Sequence, residues 1–441
     1  MTTTAPVHVL IIGGGLGGLC LAQGLHRAGM GVAVYERDRT RTDRIQGYRV
    51  HINPAGSRAL HHCLPPGRYA TFVATCGEGG DAFSFYTEQL QELLSIDVAE
   101  GDNSAPDPVE SHKSVSRITL RQVLLDGLDE IVHFDKEFTG YERLADGRIV
   151  AHFADGSSAT GDVLIAADGA NSRVRKQYLP HAERIDTGVL NISGKVPLTE
   201  ETRRLLPPRL AEGPASIVAP GGLGLFVAVQ QFRRRPQASA AIGGDDNAAA
   251  LHPGLLFDNT SDYILWALAG RGEKFAFRSD PEEMDGRTLR EVAAGLARNW
   301  HPHLRQLIRA ADPSTVDFFP IRTSIPIGPW SPTTVTLLGD AIHSMTPMRG
   351  IGANTALRDA ALLCQQLIAA QRGERPLLDA IGDYEAAMRE YGFAAVRSSR
   401  KACDQAAADN PLALALMKTS FRVLNAMPPL KRRVFASFGS E

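Results

Sequence analysis

The sequence has 441 residues, 44% of them hydrophobic and 22% charged, which is typical of a globular protein with more than one domain and a large buried core. Its formal net charge of −2 excludes a broad basic surface that could bind nucleic acid or an anionic membrane. The 5 cysteines are scattered and form no Cys-x-x-Cys pair, so we expect reduced thiols in a cytoplasmic protein and no metal site.

The amino-terminal segment predicts a strand, a helix and a second strand. An almost continuous apolar run at 7–12 is typical of a parallel strand that is buried on both faces. A helix follows at 19–28 and the second strand at 32–35. The apolar run is short, is interrupted by glycines and has no basic region before it. We therefore expect neither a signal peptide nor a stable membrane span.

The turn between the first strand and the helix contains Gly-x-Gly-x-x-Gly, at Gly13, Gly15 and Gly18. In a strand–turn–helix unit the first glycine allows the tight turn, the second lets a pyrophosphate approach the backbone, and the third lets the helix pack on the strand. Glu36 ends the second strand, 18 residues after Gly18, where a carboxylate can accept hydrogen bonds from ribose hydroxyls. The unit predicts a dinucleotide site. A 2′-phosphate would face Glu36, so NADP is disfavoured here, whereas NAD and FAD both remain open.

The middle of the chain has a different texture. Alternating segments at 216–232 and 262–270 predict strands, joined by loops rich in proline, glycine and charge, and we expect an antiparallel sheet. One face of such a sheet could line a substrate cavity, with the rest of the apolar residues in the core. Candidates for the cavity wall are Phe226, Val227, Val229, Gln231, Leu265, Trp266 and Leu268.

A second strand–helix unit lies late in the chain. A buried strand is predicted at 334–338, with Asp340 at its carboxyl end, where sheets of this class bind ligands. The helix at 353–371 directs its first N–H groups at the same crevice, and Gly350 and Gly352 leave backbone there for a flat ring to lie against. A helix amino terminus favours the negative charge of a reduced flavin, so this stretch favours FAD over a nicotinamide.

These segments resemble the motifs of the class A flavoprotein monooxygenases, the FAD-dependent aromatic hydroxylases related to para-hydroxybenzoate hydroxylase. The stretch GDAIHSMTPMRGIGANTALRDA, from Gly339, resembles their GD motif, and VLIAADGANSRVRKQYL, from Val163, resembles their DG motif. A looser match, VSRITLRQVLLDGL, contains Arg117, which in the family reaches the flavin. The stretch from Tyr35 is closest to the tetracycline-modifying monooxygenases.

The resemblance implies a set of cofactor-binding residues beyond the three glycines and Glu36. It implies contact of Arg37 with the adenosine and links Arg44 to the nicotinamide cofactor. The remaining expected residues are Leu16, Arg117, Asp168, Asp340, Pro347, Gly350, Gly352, Ala353 and Asn354. The sequence departs from its relatives at His51, where they can place an acid, and at Ile351, where many have glutamine. No catalytic side chain is predicted.

The predicted architecture is α/β: a Rossmann-like FAD-binding domain of the GR2 type with an inserted antiparallel substrate domain and C-terminal helices. The expected FAD-binding parts are 5–75, 112–180 and 320–375. The expected substrate-domain parts are 76–111 and 181–319, and C-terminal helices are expected at 376–441.

The resemblance also implies the reaction. FAD, reduced by NADPH or NADH, would react with O2 to give a C4a-hydroperoxyflavin that inserts one oxygen atom into a small apolar or aromatic molecule by hydroxylation or epoxidation. Baeyer–Villiger oxygenation and a non-catalytic binding protein that kept the fold remain alternatives. A flavin halogenase would need a tryptophan-rich element, but Trp266, Trp300 and Trp330 stand apart. We expect a cytoplasmic monomer or homodimer that binds no nucleic acid.

Overall fold

The computed structural model describes residues 7–41, 49–77, 82–97, 107–232, 262–277 and 280–434. The strands within these ranges are, in chain order, β1 (His8–Ile12), β2 (Gly31–Tyr35), β3 (Arg49–Ile52), β4 (Ala82–Thr87), β5 (Glu92–Asp97), β6 (Lys113–Ser116), β7 (Val132–His133), β8 (Phe138–Arg143), β9 (Ile149–Phe153), β10 (Ser158–Gly161), β11 (Val163–Ala166), β12 (Arg184–Pro197), β13 (Ala215–Val218), β14 (Gly224–Gln230), β15 (Tyr263–Arg271), β16 (Asp317–Ser324) and β17 (Val335–Leu337).

The α-helices of the same ranges are α1 (Leu16–Arg27), α2 (Pro54–Cys63), α3 (Pro66–Thr75), α4 (Arg117–Leu125), α5 (Arg173–Tyr178), α6 (Glu200–Arg203), α7 (Pro208–Glu212), α8 (Gly286–Leu296), α9 (Pro302–Arg309), α10 (Asp340–His343), α11 (Gly352–Gln371), α12 (Leu377–Ala406), α13 (Pro411–Ala426) and α14 (Pro428–Val434). A 3-10 turn, Pro347–Arg349, precedes α11.

A parallel sheet with the strand order β17-β11-β1-β2-β7 forms the first layer. The central strand β1 is apolar after His8, and Val9, Leu10 and Ile11 are fully buried, because helices or further strands cover both faces of a parallel sheet. Helices α1 and α11 pack closely on each other, since a Cβ at Gly17 would lie 2.7 Å from Leu338 and 3.2 Å from the carbonyl oxygen of Ala356. The helix predicted at 19–28 begins earlier, at residue 16.

Three thiols lie in this layer, one on each of three helices. Cys20 of α1, Cys63 of α2 and Cys364 of α11 are buried, and a Cβ at Gly24 would lie 2.6 Å from the sulfur of Cys364. All five cysteines lie in the described part of the chain, where they are buried and outside any disulfide bond. The helices that cover the parallel sheet therefore share one close-packed core.

The second layer is a seven-stranded sheet in the order β16-β12-β15-β14-β13-β4-β5. Neighbouring strands are antiparallel except β13 and β4, which pair in parallel. Its strand β16 spans the predicted boundary between residues 319 and 320. The parallel sheet, this inserted sheet and the C-terminal helices confirm the predicted α/β architecture, and the individual domain boundaries stay a prediction.

The two faces of the seven-stranded sheet differ in character. One face packs against α8 and α9 and forms an apolar core that includes Val227, Val229, Trp266 and Leu268. Four of the seven candidates for the cavity wall therefore lie in this core. The register places another group of side chains on the opposite face, which we call the polar face: Asn191, Ser193, Lys195, Phe226, Gln230, Tyr263 and Leu265.

The C-terminal helices close the molecule at two places. Helix α12 packs along α11, and α13 packs across the edge strand β5. Phe421 packs against Phe85 in a tilted arrangement with ring centroids 4.7 Å apart, and Asn425 accepts a hydrogen bond from the backbone N–H of Ser95 at 3.1 Å. Covering a sheet edge in this way blocks strand addition by another chain. No helix among the described residues is long and apolar enough to cross a membrane.

Candidate cofactor site

The glycine turn after β1 has the backbone geometry that its sequence predicts. Gly13 has φ 108°, and a Cβ there would lie 2.3 Å from the carbonyl oxygen of Ala167. A Cβ at Gly18 would lie 2.3 Å from the carbonyl oxygen of Gly13, so both positions exclude a side chain. At Gly15, directly before α1, no heavy atom of the described residues other than its chain neighbours lies within 4 Å of an added Cβ. The first and third glycines therefore serve close packing, and the second faces open space.

Glu36 shapes this turn from the end of β2. Its Oε2 accepts a hydrogen bond from the backbone N–H of Gly14 at 2.6 Å, and its Oε1 accepts one from that of Asp38 at 3.0 Å. Each carboxylate oxygen has a second acceptor position, so the ribose interaction predicted for Glu36 is still possible. Of the neighbouring predicted residues, Leu16 is buried and Arg37 is exposed, whereas Arg44 lies outside the described residues.

Arg121 on α4 is a part of the site that the sequence analysis missed. Its Nε donates to the carbonyl oxygen of Gly14 at 3.0 Å, its Nη1 donates to that of Arg41 at 2.9 Å, and its Nη2 lies 3.9 Å from Glu36. Burial lowers the pKa of Arg121, although the nearby acids oppose the shift. Arg121 lies four residues after the predicted Arg117, on the same side of the helix, and that spacing was the available signal.

The DG segment follows β11. Asp168 Oδ2 accepts a hydrogen bond from the backbone N–H of Arg173 at 2.8 Å, at the start of α5. Its Oδ1 is buried and has no hydrogen-bond partner among the described residues, and burial raises the pKa of the carboxyl group. Arg175 donates to the carbonyl oxygens of Ala170, at 3.1 Å, and of Ala341, at 2.7 Å. This arginine therefore ties the DG segment to the GD segment.

Asp340 begins α10 directly after β17. Gly339 before it has φ 61°, which permits the sharp turn from strand to helix. The Asp340 side chain is accessible, although protein atoms surround most of it, and this burial raises its pKa. The charges of His343, Arg117 and Arg184 oppose that shift. Arg117 itself is exposed at the start of α4.

A buried carboxylate supports the GD turn from behind. Asp359 of α11 accepts hydrogen bonds from the backbone N–H of Gly339 at 2.7 Å and from the hydroxyl of Tyr391 at 2.6 Å, and it lies 2.6 Å from Nε2 of His343. His343 and Asp359 are both fully buried. Burial alone would lower the pKa of His343, but the Asp359 carboxylate raises it overall. His343 therefore packs behind the GD turn in direct contact with a buried carboxylate.

The loop before α11 leaves room at two predicted positions. Gly350 has φ 62°, and apart from its chain neighbours no heavy atom in the described part of the chain lies within 4 Å of an added Cβ. At Gly352 the nearest such atom belongs to Met345, at 3.7 Å. Pro347 is exposed, and Ala353 is partly buried in the first turn of α11. Backbone is therefore accessible next to a helix amino terminus, which favours an electron-rich or anionic group.

The side chain of Asn354 bonds to the protein backbone. Its Oδ1 accepts from the backbone N–H of Asn53 at 3.0 Å, and its Nδ2 donates to the carbonyl oxygen of His51 at 2.8 Å. A Cβ at Gly56 would lie 2.2 Å from Oδ1, so the contact is also close. Asn354 therefore joins α11 to the end of β3.

The glycine turn, the DG segment and the GD segment meet at the carboxyl-terminal ends of the parallel strands β1, β11 and β17. Gly13 lies against Ala167, Gly17 lies against Leu338, and Arg175 bonds to Ala341. The open space at the glycine turn, the unpartnered Asp168 Oδ1 and the accessible carboxyl group of Asp340 together suit FAD, which carries a pyrophosphate, a ribityl chain and a flat ring.

Comparison with known proteins agrees with this geometry. The FAD binding domain family matches residues 6–54 and 275–399. The FAD-dependent urate hydroxylase of Klebsiella pneumoniae is 29% identical, with 90% of each chain covered. The dual O-methyltransferase/FAD-dependent monooxygenase of Phaeosphaeria nodorum is 32% identical over 80% of this chain, which matches 39% of that relative's length.

A solved structure extends the comparison over nearly the whole chain. It comes from Photorhabdus luminescens, is provisionally named an FAD-containing monooxygenase, and is 35% identical to this chain. The match covers 90% of this chain and 98% of the other, with a TM-score of 0.77. On the evidence of this match and of the glycine, DG and GD segments that meet at one edge, the chain belongs to the family of FAD-dependent monooxygenases.

Proposed function

We propose that the protein is an NAD(P)H-consuming monooxygenase that inserts one atom of O2 into an electron-rich aromatic, polyketide or terpenoid small molecule, by hydroxylation or epoxidation. The observation that carries the proposal is the convergence of the glycine turn, Asp168 and Asp340 at one sheet edge, next to the open backbone at Gly350. FAD, when bound, supplies electron transfer from the nicotinamide and the reaction with dioxygen.

The residues of the chain bind and orient the cofactor in this proposal. Glu36 has acceptor positions left for ribose hydroxyls, and the free Oδ1 of Asp168 can accept a hydrogen bond near the pyrophosphate. Asp340 is accessible for a ribityl hydroxyl, and the first N–H groups of α11 stabilise negative charge on the ring. The hydrogen bond from Gly339 to Asp359 holds the turn that carries Asp340.

The reductant is expected to bind only transiently. The sequence has one Gly-x-Gly-x-x-Gly unit of this kind, so NADPH or NADH would approach FAD that is already bound. By resemblance we assign its docking to Arg44. Replacing Arg44 with alanine should slow flavin reduction more than it weakens FAD binding, and stopped-flow reduction without oxygen measures this. An unchanged reduction rate together with lost FAD would reassign Arg44 to the flavin.

The reaction type is tested by isotope labelling. FAD-loaded protein is given NADPH or NADH, a panel of phenolic, polyketide and terpenoid compounds, and dioxygen labelled with oxygen-18. We expect substrate-dependent NAD(P)H oxidation and one labelled atom in the product. Label arriving from water would contradict the monooxygenase proposal. Label inserted between a carbonyl group and its neighbouring carbon would support the Baeyer–Villiger alternative, and purified protein without bound flavin would favour the non-catalytic alternative.

A further inference from the structure

A group of polar residues lies where the parallel-sheet layer meets the polar face of the seven-stranded sheet. We call it the Arg49 cluster, and it consists of Arg49, Ser114, Ser116, Gln230 and Tyr263. The first three belong to the ribbon of β3 and β6, and the last two belong to β14 and β15. None of these residues belongs to the cofactor site described above.

The strand register brings the cluster together. Arg49 lies opposite Ser116 and His51 lies opposite Ser114 in the ribbon, so these four side chains share one face. Ser114 donates its hydroxyl to Oε1 of Gln230 at 2.7 Å, which fixes that ribbon face against the polar face of the sheet. Gln230 lies directly opposite Tyr263 in the sheet.

Several polar atoms of the cluster have unused hydrogen-bonding capacity. Ser116 is 0% exposed and Gln230 is 1% exposed. The Ser116 hydroxyl, Nε2 of Gln230 and Nε of Arg49 are buried without a hydrogen-bond partner among the described residues. Leaving buried donors unsatisfied is unfavourable, so such a group in a native protein indicates a missing partner. Two of these three groups, Nε of Arg49 and Nε2 of Gln230, can only donate, so the missing partner is a hydrogen-bond acceptor.

The charge of the cluster is positive and uncompensated. Burial lowers the pKa of Arg49 to about 10, so its guanidinium keeps its charge at neutral pH. No ion pair joins Arg49 to a carboxylate in the part of the chain that the structure describes. Burial, Arg49 and His112 lower the pKa of His51 to about 3, so this neighbouring imidazole is neutral and adds no further charge. Arg49 is partly buried, and a cation that is partly removed from water without a counter-ion favours an anionic ligand.

A hydrogen bond links the strand that carries Arg49 to the cofactor site. The carbonyl oxygen of His51, two residues from Arg49, accepts a hydrogen bond from Nδ2 of Asn354 at 2.8 Å. Asn354 lies in the first turn of α11, beside the open backbone of Gly350 and Gly352. A molecule anchored at Arg49 would therefore lie in the layer between the sheet and the predicted ring position.

We propose that the Arg49 cluster binds an anionic oxygen group of the substrate, a carboxylate, phenolate or enolate, with Arg49 supplying the charge and Gln230 and Ser116 supplying further hydrogen bonds. This names the substrate class for the proposed monooxygenase and rests on that function. The substrate is an acidic aromatic or polyketide molecule, and a neutral hydrocarbon is disfavoured because it would leave the partly buried guanidinium of Arg49 unpaired.

Equilibrium binding to oxidised, FAD-loaded protein tests the proposal without turnover. The probes are three pairs of an aromatic acid and its amide: benzoate and benzamide, salicylate and salicylamide, and 1-naphthoate and 1-naphthamide. Binding is read from the change in flavin absorbance and fluorescence. We expect the acid of at least one pair to bind about tenfold or more tightly than its amide, and Arg49→Gln to weaken acid binding about tenfold to hundredfold with little change for the amide.

Two further variants separate this role from structural effects. Arg49→Lys keeps the charge and should retain part of the preference for acids. Arg204→Gln, which removes an exposed arginine directly after α6, should retain all of it. FAD titration of each variant checks the cofactor site. The proposal is overturned if no acid is preferred over its amide, if Arg49→Gln keeps the preference, or if Arg49→Gln loses FAD while its fold is retained. The labelling experiment can fail while these binding results hold, so the two proposals are distinguishable.

Discussion

Replacing Asp359 with alanine removes one carboxylate that serves three partners. The backbone N–H of Gly339, at 2.7 Å, and the hydroxyl of Tyr391, at 2.6 Å, lose their acceptor. His343, at 2.6 Å from the same carboxylate, is left fully buried without its counter-ion. We therefore expect Asp359→Ala to destabilise the fold and to loosen the turn that carries Asp340.

The magnitude follows from the number and kind of these contacts. A hydrogen bond to a charged group contributes about 1.5–3 kcal/mol, but three bonds to one carboxylate are coupled and do not simply add. Removing one partner of a buried ion pair costs about 3–5 kcal/mol, and we expect the free energy of unfolding to fall by about that amount. With a urea slope of about 3 kcal/mol per M, the midpoint should fall by roughly 1 M or more.

Urea unfolding of the protein without FAD measures the effect, followed by FAD titration of the folded variant. The matched control is Asp383→Ala on α12, which removes a carboxylate that is 57% exposed and pairs with Arg375. An exposed pair contributes less than about 1 kcal/mol, so the control should barely move the midpoint. Equal midpoints for Asp359→Ala and the control would refute the assignment of Asp359 as the support of the GD turn.

Three other results are expected. Gly18→Ala should lower the free energy of unfolding in urea by about 1–3 kcal/mol, because its Cβ meets the carbonyl oxygen of Gly13. Gly15→Ala should lower it by under about 1 kcal/mol but weaken FAD binding. A larger loss of stability for Gly15→Ala than for Gly18→Ala would contradict the turn geometry. Asp340→Ala should weaken FAD binding about tenfold to hundredfold in a fluorescence titration, and equal affinity would remove Asp340 from the site. The pKa of His343 is raised in the folded protein, so its contribution to stability is complete below about pH 6.5 and is lost as the pH rises through the folded pKa. Urea midpoints measured across this pH range should show that loss. A flat profile would argue against a protonated His343.

The sequence predicted the parallel layer well because its signals are local. Val9, Leu10 and Ile11 form a run that only a doubly covered strand would bury, and Gly13 and Gly18 lie at fixed offsets from it. The boundaries of α1 differ by three residues at its start, because the glycines that open it have low helix propensity and are helical only through packing.

The polar face of the second sheet was harder to predict. A period of two separates Phe226 from Val227 and Leu265 from Trp266, but the period does not say which set faces the cofactor layer. Helices α8 and α9, which come later in the chain, cover the face that carries Trp266 and so decide the question.

The supporting contacts of the site were not predictable from local pattern. Asn354 bonds to Asn53 across 301 positions of sequence, and Asp359 meets the Tyr391 hydroxyl from another helix. Such pairs have no spacing rule, since only the packing of α11 on its neighbours brings them together. Arg121 was the exception, because its spacing from Arg117 on one helix was visible in the sequence.

The buried thiols allow the packing of the helices that cover the parallel sheet to be followed by chemical modification. Hydrogen bonding with Cys63 and burial raise the pKa of Cys364. The pKa of Cys63 is raised as well, chiefly through its hydrogen bond with Cys20. Native protein should therefore be almost inert to thiol reagents, because the thiolate is the reactive form and the sulfurs are enclosed. Modification then requires α1, α2 and α11 to separate, so its rate measures how often this layer opens. A ligand that binds only when these helices are packed together slows the modification. The rate of thiol modification therefore reports how long the cofactor stays bound.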